Sequence, residues 1–298
     1  MIVLMDTLAI CFGLALVGMT LGSFAGATVW RLRARQLKFD AKHGEKVTVA
    51  EKKEVAKLQK KPLHSDRSVC LHCGHELAWY DLLPLVSWLQ LGGKCRYCHK
   101  PIGWLEPALE LGVAAFFIVS YLAWPLALAG PIGVAQLALW LVASVGMAIL
   151  IVYDAKWFLL PNSVVFPLIG LGAAYSLLEL VGAHFAATTA VSIFAACMVL
   201  SGLYYLIYVF SQGQWVGFGD IKLGLALALL LADWRLAVLA LFLANLIGTV
   251  LFMPALLSGK LKSQAHIPFG PLLIAGWAIA GLFGEHIIQW YMSLTLSL

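Results

Sequence analysis

The sequence predicts an all-α polytopic membrane protein. Of its residues 62% are hydrophobic and only 12% are charged, the mean hydropathy is +0.90, and apolar runs recur near the ~20 residues an α-helix needs to cross a bilayer. An ordinary soluble domain is excluded. The runs predict about eight transmembrane helices, at about 7–30, 106–129, 131–153, 161–181, 186–210, 220–232, 235–257 and 269–292, the short sixth being the weakest.

The first run is read as a span and not a cleaved signal peptide, because MIVLMD carries an acid and the basic residues Arg31, Arg33 and Arg35 follow the apolar stretch. Cytoplasmic loops favour Lys and Arg, so the N-terminus is expected outside and residues 31–105 inside. Threading eight spans from there puts 15 of the 20 basic residues in that loop. Lys156, Lys222, Lys260 and Lys262 also fall inside, leaving Arg235 alone on the far side. Asp154 and Asp220 then lie near one membrane face.

Three parts follow: a first transmembrane helix at 1–30, a basic cytoplasmic loop at 31–105, and a transmembrane core at 106–298. The loop accounts for the +5 net charge. Its expected partner is the anionic lipid headgroup layer, and nucleic acid is not an expected partner. Thr48 and Glu51 have capping-box spacing and Pro62 supplies a stop, which predicts a short helix at about 49–61 with a thin apolar face of Val55 and Leu58. Gly18, Gly22 and Gly26 make two overlapping GxxxG spacings in the first span, which permit close helix packing.

Cys70-Leu-His-Cys73 and Cys95-Arg-Tyr-Cys98 form a CxxC-x21-CxxC arrangement on the reducing side of the membrane. Such paired knuckles suit a zinc-ribbon-like module with a structural, four-thiolate Zn2+, the alternative being two independent redox pairs. A closed four-thiolate site has no position left for a reactive water, so the chemistry is expected elsewhere. Trp79, Tyr80, Trp88 and Trp104 suit the membrane interface, and Glu106 and Glu110 suit the positive end of the second span.

Asp154 in LIVYDAKWFLLPN and Asp220 in WVGFGDIKLGLAL each border a long apolar run. A carboxylate beside hydrocarbon is unfavourable unless something uses it. Two adjacent carboxylates sharing one proton can activate water as base and protonate a leaving group as acid. Asp154 ends a span and Asp220 opens one, so the helix dipoles place the shared proton on Asp154 and make Asp220 the base. Gly217 and Gly219 let an extended substrate approach Asp220, the plainer reading being a glycine-rich entry with an N-capping acid. Lys156 and Lys222 are read as inner-leaflet anchors, and IPFGP (267–271) as a re-entrant entrance or a helix cap.

These residues resemble the type IV prepilin peptidases. The likeness covers most of the chain outside about 33–65: GSFAGATVWRL (22–32), the paired CxxC knuckles around PLVSWLQLGGKCRYC, YDAKWFLLPN, GFGDIKL and IPFGPLL (267–273). It implies a GxGD-type aspartyl protease of the bacterial inner membrane, with Asp154 and Asp220 catalytic. The expected substrates are prepilins or pseudopilins, cut after a glycine between a basic leader and an apolar helix. Many members also methylate the new N-terminus with S-adenosylmethionine. Two departures stand out: Arg33 follows Arg31-Leu32 where the family commonly has proline, and Asn162 follows Pro161 where it commonly has aspartate. The rival reading is a non-enzymatic transporter or assembly scaffold, which explains buried acids but not GFGD with a downstream IPFGP.

Overall fold

A computed structural model describes residues 2–43, 55, 58, 67–126, 128, 130–259 and 267–296. Its regular elements are helices, with two isolated β-bridges in the cysteine segment. Among the described residues seven helices are long and apolar enough to cross a membrane, at Met5–Lys42, Leu105–Leu122, Pro131–Trp157, Asn162–Gly182, Ala187–Phe210, Trp234–Leu257 and Gly270–Thr295. This is a multi-pass membrane protein. The chain divides into two compact units, Met1–Ile118 and Val119–Leu298.

In the first unit, α1 (Ile2–Lys42) runs for 41 residues. At ~1.5 Å per residue it is about twice as long as the ~30 Å hydrocarbon layer requires. Its far end is not bare, since Ala34 and Leu37 are buried with Val55, and Trp30 and Leu58 pack against them. Val55 and Leu58 are thus held on α1; the rest of the predicted 49–61 helix lies outside the described residues. Between 79 and 90 lie a 3-10 turn, Trp79–Leu82, and the short helix α2 (Val86–Gln90). α3 (Leu105–Leu122) then packs against α1 through the predicted glycines. A Cβ on Gly18 would stand 2.6 Å from Ala114 Cα, and one on Gly22 2.6 Å from Glu110 Cα, so backbone meets backbone there. Gly26 makes an ordinary contact with Leu109.

The second unit holds α4 (Pro131–Trp157), α5 (Asn162–Gly182), α6 (Ala187–Cys197), α7 (Leu203–Phe210), α8 (Phe218–Leu231), α9 (Trp234–Leu257) and α10 (Gly270–Leu296). Its aromatic centre is Trp140, which stacks on Trp277 at 3.9 Å and donates from Nε1 to Ser120 Oγ at 3.1 Å. The predicted sixth span exists as α8, but at 14 residues it is shorter than a crossing helix needs. More than half of it is buried among its neighbours. Ser176 Oγ of α5 donates to Leu229 O at 2.6 Å, while Gly172 admits the Leu229 side chain. A helix sheathed by protein on all sides has no need to match the bilayer thickness, which is why hydropathy alone over-read it.

The predicted fifth span is interrupted by a π-helical turn at Met198–Gly202, between α6 and α7. The turn carries Ser201, whose Oγ donates to Ile221 O at 3.0 Å. It also lays the Leu200 backbone against Gly224, where no side chain fits. These contacts position the first turns of α8.

Candidate active site

α4 ends in the turn that carries Asp154, which is 6% exposed. The helix is stopped by Phe158, whose φ of 54° is left-handed and whose N–H closes on Asp154 O at 2.8 Å. The chain then passes Leu160 and Pro161 and enters α5 at Asn162. Asp220 lies in the first turn of α8, its N–H bonded to Gly217 O at 3.1 Å and its carboxylate folded back over Gly217. The two acids stand at one corner, because Leu160 touches both Gly219, next to Asp220, and Gly270, which lies against Asp154.

IPFGP completes this corner. Gly270 opens α10, and its N–H donates to Asp154 Oδ2 at 3.0 Å in buried surroundings. This backbone donor faces the same carboxylate that the end of α4 was expected to disfavour as an anion. A Cβ on Gly270 would stand 2.8 Å from Asp154 Oδ2. One on Gly219 would stand 3.2 Å from Leu160 Cβ, and Leu160 also reaches Gly270, so this one leucine is wedged between the two glycine backbones. Gly217 is different, for its φ of −76° suits any residue and its nearest neighbour would be Asp220 Oδ2 at 3.4 Å.

Three neighbours carry no signal that isolates them in the sequence. Tyr204 of α7 is buried and meets Phe269, the residue before Gly270, edge-on at 5.7 Å. Ser201 holds the carbonyl that follows Asp220. Lys222, read as a lipid anchor, instead donates to Asn162 Oδ1 and lies over the Phe218 ring at 5.2 Å. It ties the entry of α5 to that of α8.

The cysteines come together. The Sγ atoms of Cys70, Cys73, Cys95 and Cys98 all lie within 4.8 Å of one another. Each knuckle is built alike: Gly74 N–H bonds to Cys70 O and His99 N–H to Cys95 O, with left-handed φ of 77° and 57° at the two equivalent positions. The Cys70–Cys98 separation of 3.9 Å suits tetrahedral ligands each ~2.3 Å from one ion. The donor set fits a metal.

Asp81, between the knuckles, accepts from Arg96 Nε at 2.8 Å, Tyr97 OH at 2.9 Å and Ala78 N–H at 3.2 Å. Burial opposes its ionisation, but these donors win and hold its carboxyl below the usual carboxylate range. Glu110 accepts the Leu85 N–H at 2.8 Å and Glu106 the Trp30 Nε1 at 3.3 Å, so both acids fasten side-chain and backbone donors. Trp79 and Trp104 are exposed, while Trp88 packs on Trp104 at 4.5 Å and donates to Gly103 O.

Residues 140–253, which contain both aspartates, match the type IV leader peptidase family, and residues 16–124 match the bacterial peptidase A24 N-terminal domain. The prepilin leader peptidase/N-methyltransferase of Pseudomonas aeruginosa is 32% identical over 289 residues, covering 93% of this chain and 91% of that one. The chain belongs to the type IV leader peptidase family. This leader peptidase is also similar to the proteins of the same name from Aeromonas hydrophila (33% over 228 residues, 76% of this chain and 75% of the relative) and Bacillus subtilis (30% over 239 residues, 79% and 90%). No solved structure matches it.

Proposed function

We propose that this peptidase is an aspartic endopeptidase of the bacterial inner membrane, with Asp154 and Asp220 as its catalytic pair at the cytoplasmic face. It removes the short basic leader from type IV prepilins or pseudopilins. The observation that carries the reading is the gathering of Asp154, the Gly270 amide and the Gly219–Asp220 turn around Leu160 at one corner of a multi-pass protein. Charge at the edge of hydrocarbon is retained where chemistry uses it.

In this reading the pair holds a water between its carboxylates. One accepts a proton from the water as it attacks the scissile carbonyl, and the other gives a proton to the departing amide nitrogen. Gly270 fixes Asp154 through its backbone, leaving the other oxygen for the water. Gly219 keeps a side chain out of the space beside Asp220 that an extended substrate would use, whereas a methyl at Gly217 is compatible with the same path. An amide inside a helix is shielded, so the cut belongs at the junction where the leader meets the apolar helix. The core that performs this lies within 106–298.

Cys70, Cys73, Cys95 and Cys98 would hold a structural Zn2+ that fastens the two knuckles, and four thiolate ligands would leave it no position to activate water. The relatives' name extends the proposal to methylation of the new N-terminus with S-adenosylmethionine as donor. Transport or scaffolding is not favoured, since neither needs a glycine amide aimed at one acid of a close pair.

The test uses purified protein in lipid vesicles and a synthetic substrate with a basic leader, a glycine and a ~20-residue apolar helix. Mass spectrometry is expected to find two fragments whose masses sum to substrate plus one water, cut after the glycine, with serine-directed reagents without effect. An intact substrate contradicts the proposal.

A further inference from the structure

α9 carries a feature the proposed chemistry does not use. Its face toward α10 is made of small residues, with Ala240 and Ala244 buried against Gly276 and Gly248 against Leu272. On the other side Val238, Phe242, Asn245 and Thr249 are all exposed. Their spacing of four, three and four residues is the a/d seam of a left-handed helix pair. Asn245 is the twelfth of the 24 residues of α9, so it stands midway along the helix, and it is exposed. One amide hydrogen returns to Leu241 O at 2.8 Å, but among the described residues Asn245 Oδ1 accepts no hydrogen bond. A polar group in that position is ordinarily matched across a helix interface.

We propose that this stripe is the contact between two copies of the chain. Copies inserted in one membrane share an orientation, so a two-fold contact along α9 sets each residue opposite itself at equal depth. Asn245 then meets Asn245, and an amide is self-complementary: the free Nδ2 hydrogen of each donates to Oδ1 of the other. Val238 and Phe242 pack on one side of that pair and Thr249 on the other. A single asparagine at a seam position also fixes register and the number of helices, which favours a dimer over looser clustering.

The test measures self-association of full-length protein in phosphatidylcholine/phosphatidylglycerol vesicles by single-molecule photobleaching over a range of protein-to-lipid ratios. Asn245→Leu keeps a good helix former and removes only the amide, so folding is retained. The expected result is a dimer for wild type and about eight-fold weaker association for the variant, near three-fold for each of two symmetry-related hydrogen bonds. A photo-crosslinker at position 242 is expected to join α9 to α9. A monomer at all ratios, or equal association of variant and wild type, overturns the proposal. So does a crosslinker that captures the cleavage substrate in place of a second copy, together with a raised KM for Asn245→Leu; that result assigns the stripe to the substrate's helix.

Discussion

The backbone amide of Gly270 donates a 3.0 Å hydrogen bond to Asp154 Oδ2 across 116 residues of chain. A main-chain donor cannot swing away as a side chain does, so the start of α10 fixes the position of one acid of the pair. A Cβ at Gly270 would intrude on that acid from 2.8 Å. Gly270→Ala is therefore expected to fold, since alanine favours the helix it would begin. Cleavage should fall roughly 100-fold, the effect of moving a reacting group by about 1 Å. Cleavage kinetics with thermal melting separate the two effects.

The two glycines before Asp220 are expected to differ. At Gly219 an added methyl meets Leu160 at 3.2 Å, whereas at Gly217 it makes an ordinary contact with ordinary φ. Gly217→Ala should keep activity within a few-fold. Gly219→Ala should lose at least ten-fold by shifting Asp220, and Leu160→Ala in the same chain should restore part of it. The same kinetic assay checks this.

Loading of the cysteine cluster is expected to be one Zn2+ per chain by elemental analysis, lost in Cys70→Ser or Cys95→Ser. Metal loss should open residues 67–104 to proteolysis, because the knuckles there have few buried apolar residues and rely on their ligands. It should not change the fragments produced from any substrate still cut.

Asp81 gives the module a defined acid limit. Its carboxyl is held below the usual range in the fold, so the stability it adds is fully present above the unfolded pKa of about 3.9 and is lost as pH falls through the lower folded value. The difference in protease resistance between wild type and Asp81→Ala, in which the acid loss of the thiolate-bound metal cancels, should be flat from about pH 5 to 8 and shrink below about 4. Asp81→Ala should lower the module's protease resistance at neutral pH, because it takes the shared acceptor from Arg96, Tyr97 and the Ala78 amide.

Much of this was legible in the sequence because charge is rare in it. Asp154 and Asp220 stand out against hydrocarbon, and the spacing of Cys70, Cys73, Cys95 and Cys98 leaves few other uses. Gly18 and Gly22 announced their close packing by period alone. What was hidden depends on neighbours. α8 reads as a short span because hydropathy records that Leu223 and Leu227 are apolar, not that protein covers them. The π turn at Met198–Gly202 has no residue signature, and the Gly270 amide donates from a backbone that every residue possesses. Lys222 looked like an anchor since its partner, Asn162, is 60 residues away.

The central claim is that Asp154 and Asp220 act together on the scissile bond. Its most direct measurement is single-turnover cleavage by wild type, Asp154→Asn and Asp220→Asn in vesicles, each checked for native melting behaviour. Asparagine preserves size and can still receive the Gly270 N–H, but neither accepts nor gives the proton the step needs. The account predicts that each variant folds and that each alone loses at least about 1,000-fold in rate. A folded variant that cleaves within ten-fold of wild type contradicts it.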